Sequence, residues 1–187
     1  LNFVLADLGV SSMQIDNPER GFSLKMDGPL DLRLNPKSGR PASALLKNIS
    51  QQQLEDILIQ NADEPHAAII AKSIIAKMAK TKGIETTNQL KEVIAEALGF
   101  LPNINKIDQI KKSCQRCFQA LRIEVNNEFG VLEKFLEKLP AVLDSGGRVA
   151  MLTFHSGEDR RVKKSFQSLF RLGIYSEIAA DPVLPSS

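Results

Sequence analysis

The chain has 187 residues, 43% of them hydrophobic and 25% charged, with 24 Lys and Arg against 22 Asp and Glu for a net charge of +2. That is the make-up of an ordinary globular protein, long enough for one domain or for one domain carrying an insertion. No apolar run nears the roughly 20 residues of a membrane span, and the apolar start from Leu1 to Leu8 lacks the basic leader of a signal peptide, so a soluble, cytoplasmic protein without a membrane role is expected.

The first element is an apolar strand, Leu1 to Ala6, which reads as buried and runs into Asp7-Leu8-Gly9-Val10-Ser11-Ser12-Met13-Gln14. A buried strand that ends in a small polar loop is where α/β enzymes place their chemistry. Pro18-Glu19-Arg20-Gly21-Phe22-Ser23 and Asp27-Gly28-Pro29-Leu30-Asp31-Leu32-Arg33 follow, with little apolar periodicity. Such a stretch is far longer than an ordinary connection, and it reads as a site.

The turn formers between Asn35 and Pro41 then mark a hinge into successive helices. Ser50 with Gln53 makes a capping box for the first of them, with Leu54, Ile57 and Leu58 on its apolar face. Asp63-Glu64-Pro65 opens the next, with the proline in the first turn. Thr86 with Gln89 caps a third, whose stripe ends at Gly99. Lys106 to Lys112 continues as a basic stretch into one long amphipathic helix running from Phe118 to Leu139, which Pro140 should kink or end. Asp144-Ser145-Gly146-Gly147 releases a second apolar strand, Arg148 to Phe154, and this again ends in a polar loop, His155-Ser156-Gly157-Glu158-Asp159-Arg160. Two such strands separated by helices are expected to be parallel neighbours whose carboxyl ends face one crevice. A last helix carries Val162, Phe166, Leu169 and Phe170, and Gly173 to Ile178 could add an edge strand.

Local charge clusters are Lys111-Lys112 with Arg116 and Arg122, and Arg160-Arg161 with Lys163-Lys164. Each is either a set of phosphate contacts or a solvated helix face. Cys114 and Cys117 have Cys-x-x-Cys spacing, but zinc needs four ligands and the other soft candidates, His66 and His155, are far apart in sequence. No metal site is expected, and the two cysteines read as reduced and packed on a helix.

Taken together, Asp7-Leu8-Gly9-Val10-Ser11-Ser12-Met13-Gln14, Pro18-Glu19-Arg20-Gly21-Phe22-Ser23, Asp27 to Arg33, Phe118-Gln119-Ala120-Leu121-Arg122-Ile123 with Asn126 and Glu128, and Phe154-His155-Ser156 with Glu158-Asp159-Arg160 closely resemble the MraW family of small-subunit ribosomal RNA methyltransferases. The motifs occur in the family's order and span nearly the whole chain. The resemblance implies an α/β fold: a partial class I, Rossmann-like methyltransferase core over residues 1–36 and 113–187, interrupted by an all-helical RNA-recognition domain over residues 37–112. It also implies S-adenosylmethionine as cofactor, and N4-methylation of a cytidine in the decoding region of small-subunit rRNA as the reaction. The partner would then be that rRNA or the assembled small subunit.

By position in the family's motif, Asp7 and Gln14 match cofactor-contacting residues. The Asp7 loop also stands where amino-methyltransferases carry acceptors for the target amine, so Asp7 could serve cofactor, amine or both. Ser11 and Ser12 could bind substrate or make turn hydrogen bonds. Arg20 and Arg33 could hold RNA phosphates or brace the loop through Glu19, Asp27 or Asp31. Arg122, Asn126 and Glu128 could order the loops or receive the base. For the His155 loop there are two readings. Ser156 and Asp159 form a capping box that starts the last helix, or His155 and Ser156 face a flipped cytosine while Arg160 meets the backbone.

Cys117 and Gly157 depart from the threonine and leucine usual in the family. The resemblance places the glycine-rich cofactor loop before Leu1 and a basic tail after Pro185-Ser186-Ser187, so the chain reads as part of the enzyme and is expected to hold the cofactor poorly. A non-catalytic RNA- or ribosome-binding module on the same fold is the alternative function, and a helical interaction protein without RNA affinity is a third. An open apolar sheet edge would favour a homodimer.

Overall fold

The computed structural model describes residues 1–183, so Pro185-Ser186-Ser187 lies outside the described residues. It is a mixed α/β protein with a small parallel sheet and many helices. In chain order come β1 (Phe3–Asp7), α1 (Ser12–Ile15), a 3-10 turn (Pro18–Arg20), α2 (Ala42–Lys47), α3 (Gln51–Ala62), α4 (Ala67–Lys80), α5 (Thr87–Ala97), α6 (Lys106–Asn126), α7 (Glu128–Val142), β2 (Arg148–Leu152) and α8 (Ser156–Arg171). They form two compact units: Leu1–Gly9 with the chain from Phe129 onward, and Val10–Glu128. The sequence-based boundaries at 36/37 and 112/113 both lie inside the second of these.

In the first unit β1 and β2 are parallel neighbours, as the two strand-then-polar-loop patterns require, with Phe3 opposite Arg148 and Asp7 opposite Leu152. Both strands therefore deliver their carboxyl ends to the same edge, and the Leu8 amide continues the ladder onto the Leu152 carbonyl at 3.2 Å. The unit's small core is Leu132 and Leu136 of α7 and Val162 of α8, with Leu8, Met151 and Phe166 packed against it. Strand β1 is not buried as its sequence reads. Its side chains alternate between half-buried and exposed, and Phe3 and Leu5 stand 57% and 59% open. Period-two geometry sends them to the opposite face from Val4 and Ala6.

The other differences in this unit are local. The expected edge strand over Gly173 to Ile178 does not form. Gly173 takes φ of +71°, and the Ile174 and Tyr175 amides donate back to the Leu169 carbonyl at 3.0 and 3.2 Å. The chain after α8 is thus a turn that sets Tyr175 edge-on to Phe166, with ring centroids 5.7 Å apart. Pro140 lies inside α7, which ends two residues later at Val142.

The second unit is a helical body around one core, with Leu54 and Leu58 of α3, Ile70 and Ile74 of α4, Leu90 and Ile94 of α5 and Leu121 of α6 fully buried. Burying each contributes about 1.5–3 kcal/mol relative to leaving it in water. The Ser50–Gln53 box closes on α3 with bonds of 3.0 and 3.2 Å, and the Thr86–Gln89 box closes on α5 with bonds of 3.2 and 3.3 Å. Pro65 precedes α4, whose N-cap is His66. The chain turns there because Glu64 folds back beneath it, accepting from the His66 amide at 2.9 Å and from the Ser113 hydroxyl at 3.0 Å.

The single long helix expected from Phe118 to Leu139 is two. Asn127 adopts the left-handed conformation, with φ of +48°, which asparagine tolerates better than most residues, and this ends α6 before α7 begins.

Candidate functional site

Asp7 ends β1 with its side chain exposed, in the position that parallel sheets reserve for chemistry. At the matching end of β2 the chain continues through Thr153 and Phe154 to His155, which caps α8. Here the structure corrects the capping assignment. Ser156 is the first helical residue, and the cap is His155, whose Nδ1 accepts from the Glu158 amide at 3.4 Å. The spacing from His155 to Glu158 equals that from Ser156 to Asp159, so the observed cap is the same spacing one residue earlier than the sequence analysis places it. Burial decides between them. Glu158 is buried while Asp159 is only partly so, and the Glu158 carboxylate accepts the Phe154 amide at 2.8 Å. Its other oxygen lies 3.3 Å from His155 Nε2.

Glycine at 157 has a physical reason. A Cβ there would sit 2.6 Å from Phe129 Cζ and 3.1 Å from His155 Nδ1. The Phe129 ring therefore occupies the space that a side chain at 157 would take. Arg161 closes the cluster. Its guanidinium lies 3.4 Å from the Phe129 centroid and donates to the Gly157 carbonyl and to Glu133, both at 3.1 Å. Arg161 is thus engaged within this cluster, and Arg160, Lys163 and Lys164 are exposed on α8. Gly157→Ala is expected to cost about 1–2 kcal/mol. The overpacking outweighs the helical gain of replacing glycine, and thermal melting monitored by circular dichroism checks it.

The remaining motif residues lie in the second unit. Ser11 is the N-cap of α1 and Ser12 its first residue, both exposed. The Gln14 side-chain oxygen accepts the Ser11 amide at 3.0 Å, leaving the carboxamide NH2 to donate. Arg20 and Arg33 are braces. Arg20 donates to the carbonyls of Arg33 and Leu34 at 2.8 Å each. Arg33 grips Asp31 through two bonds of 2.8 Å, and the Arg33 guanidinium holds the Asp31 carboxyl below the usual carboxylate range. Arg122 is likewise committed, bidentate to Glu128 at 2.8 and 3.1 Å.

Asn126 is the junction of this network. Its oxygen accepts the Leu34 amide at 2.7 Å, and its NH2 donates to the carbonyls of Leu32 at 2.7 Å and Arg122 at 2.8 Å. Between those contacts Leu32 is held at φ of +64° with its side chain fully buried. Nothing in the sequence marks a leucine for that conformation, so this residue escapes sequence reasoning. Gly28 did carry a signal, in Asp27-Gly28-Pro29, and a Cβ there would meet the Pro18 carbonyl oxygen at 2.0 Å. The 18–33 loop is thus folded tightly upon itself, and Asp27 ties it to α5 by accepting the Asn88 amide at 3.0 Å and the Thr87 hydroxyl at 3.1 Å.

Cys114 and Cys117 are free and buried. Burial pushes the Cys114 thiol up to about 11 and the Cys117 thiol well above its ordinary value, which keeps both protonated and poorly nucleophilic. Among the described residues no group of three or more His, Cys, Asp or Glu is placed to hold a metal ion, and no helix is long and apolar enough to cross a membrane.

Comparison with known families follows the same motifs from end to end: the MraW methylase family matches residues 1–178. The chain belongs to that family. It is 64% identical over 187 residues to ribosomal RNA small subunit methyltransferase H 2 of Alkaliphilus metalliredigens, covering 100% of this chain and 54% of that protein. It is 58% identical over 186 residues to ribosomal RNA small subunit methyltransferase H 1 of Lachnoclostridium phytofermentans, covering 100% of this chain and 51% of the relative. The corresponding enzyme of Agathobacter rectalis is 56% identical over 186 residues, with 53% of its length covered. This MraW chain therefore spans about half the length of the curated relatives it matches.

Proposed function

We propose that this MraW chain is part of an S-adenosylmethionine-dependent enzyme that methylates the N4 amine of a cytidine in the decoding region of small-subunit rRNA. The observation that carries this reading is the exposed Asp7 carboxylate at the carboxyl end of β1, beside the end of β2, in a chain whose relatives are named rRNA methyltransferases.

The residues fit the cofactor's chemistry. Asp7 offers an exposed acceptor, and Gln14 offers a carboxamide NH2 that its helix cap leaves over. When bound, S-adenosylmethionine supplies an electrophilic methyl group. A cytosine amine is a poor nucleophile because its lone pair is delocalised into the ring. The task of the protein is to accept the amine hydrogens, pyramidalise the nitrogen and align it, and Asp7 is the group assigned to it. Ser11 and Ser12 are assigned to substrate or cofactor contact by their exposed hydroxyls at the start of α1. His155 and Ser156 are assigned to the base. The Glu158 carboxylate fixes the loop that carries them, and the exposed Arg160 is assigned to the RNA backbone. Arg20, Arg33, Arg122, Asn126 and Glu128 order the loops, as their bonds to one another and to the backbone support. The helical residues 37–112 are assigned to RNA recognition, and the cytoplasm, where ribosomes are assembled, is the compartment this function requires.

The test is methyl transfer from labelled S-adenosylmethionine to small ribosomal subunits by a family-length protein carrying these residues. N4-methylcytidine in the digested rRNA is the expected product. Absence of label in rRNA would refute the reading and favour the non-catalytic RNA-binding module.

Self-association belongs to the same proposal. Parallel strands are ordinarily covered on both faces, and β1 leaves Phe3 and Leu5 open. Size-exclusion chromatography of this chain is expected to show a dimer or larger species, which Leu5→Lys shifts toward monomer. A monomer at high concentration would count against it.

A further inference from the structure

One patch within residues 37–112 gives their RNA-recognition assignment a specific place. Phe100 and Ile104 in the connection between α5 and α6, and Ile107 in the first turn of α6, stand 62%, 79% and 83% exposed. Phe100 is not a loose side chain: its ring meets His66 edge to face, with centroids 6.0 Å apart and planes at 83°. The His66 backbone amide donates to the buried Glu64 carboxylate at 2.9 Å, and the other oxygen of that carboxylate lies 3.9 Å from the Arg116 guanidinium. Lys106 donates to the Gly99 carbonyl, beside Phe100. The first three turns of α6 carry four basic residues, Lys106, Lys111, Lys112 and Arg116, against one acidic residue, Asp108, and Lys111 and Lys112 are exposed.

We propose that Phe100 is a stacking platform for an unpaired base of single-stranded RNA, with the basic start of α6 following the adjacent phosphates. The proposal rests on the rRNA reading above and deepens it by naming where the strand is gripped. Charge complementarity selects RNA over protein as the occupant, because protein interfaces deplete lysine while single-strand binders pair a cationic track with an exposed ring. A ring that stays 62% exposed in a T-shaped contact keeps open surface for stacking, and the exposed Ile104 and Ile107 are apolar surface for sugar and base.

The experiment is fluorescence anisotropy of the full chain with a short labelled single-stranded RNA and with a short RNA duplex. Phe100→Ala should weaken single-strand binding by about tenfold or more, leaving duplex binding and the salt dependence unchanged, and Phe100→Tyr should restore it. Lys111→Gln with Lys112→Gln should instead flatten the salt dependence, by roughly one unit of slope for each phosphate no longer neutralised. Because Phe100 is exposed, melting curves should not move. Wild-type affinity in Phe100→Ala would overturn the platform, as would absence of single-strand binding by the unaltered chain at low salt. A Phe100→Ala chain that keeps its RNA affinity but loses a ribosomal protein would assign the patch to protein and overturn the proposal. In each case, methyl transfer by the family-length protein reports separately on the rRNA reading.

Discussion

Asn126→Ala is expected to lower the stability of the helical unit by about 3 kcal/mol, seen as a lower urea midpoint at unchanged slope. Three bonds disappear at once: from the Leu34 amide, and to the carbonyls of Leu32 and Arg122. Each contributes about 1 kcal/mol net. The substitution also removes the clamp that keeps Leu32 at φ of +64°, a conformation that costs about 1–3 kcal/mol and persists only where its surroundings impose it. Asn126→Asp separates the parts. It retains an acceptor for the Leu34 amide but sets a carboxylate against the Leu32 carbonyl, so most of the loss should remain. A change below about 1 kcal/mol in Asn126→Ala would show that the loop is set by Arg20 and the Asp31–Arg33 pair alone.

Glu158→Ala is the second large effect, at about 2–3 kcal/mol. The carboxylate is buried, receives the Phe154 amide at 2.8 Å and lies against His155 Nε2. Removing it strands a backbone donor and releases the histidine that caps α8, and hydrogen bonds to charged groups contribute about 1.5–3 kcal/mol. A melting temperature lower by roughly 4–12 °C is expected for a chain of this size. Glu158→Gln keeps an oxygen for Phe154 and should recover most of that loss. Equal melting of Glu158→Ala and the unaltered chain would show that the His155 loop does not depend on it.

What could be read from the sequence was what depends on near neighbours. The Ser50–Gln53 and Thr86–Gln89 boxes and the two strands ending in polar loops are set by residues within a few positions and form where they read, although β1 is half open where its sequence reads as buried. The long helix breaks at Asn127, which takes the left-handed conformation, and the preceding Asn126 is engaged by Leu32 and Leu34, more than ninety residues away, a contact that no local pattern carries. The cap of α8 lies one residue earlier than its reading as Ser156 with Asp159: His155 with Glu158 has the same spacing, and the burial of Glu158 against Asp159 chooses between them. Asp7 and His155 were legible as strand-end residues. The bracing role of Arg20 and Arg33 was one of two open readings, and their bonds to neighbouring carbonyls and to Asp31 supply it.

The most direct test is the methyl-transfer rate of a family-length protein carrying Asp7→Ala, measured on small ribosomal subunits beside the unaltered enzyme, with subunit binding followed in parallel. If Asp7 orients the reacting groups, the rate should fall by about 100-fold or more while subunit binding stays within about twofold, the difference expected of a group acting in the transition state. An undiminished rate would contradict the assignment of the β1 end as the reaction centre.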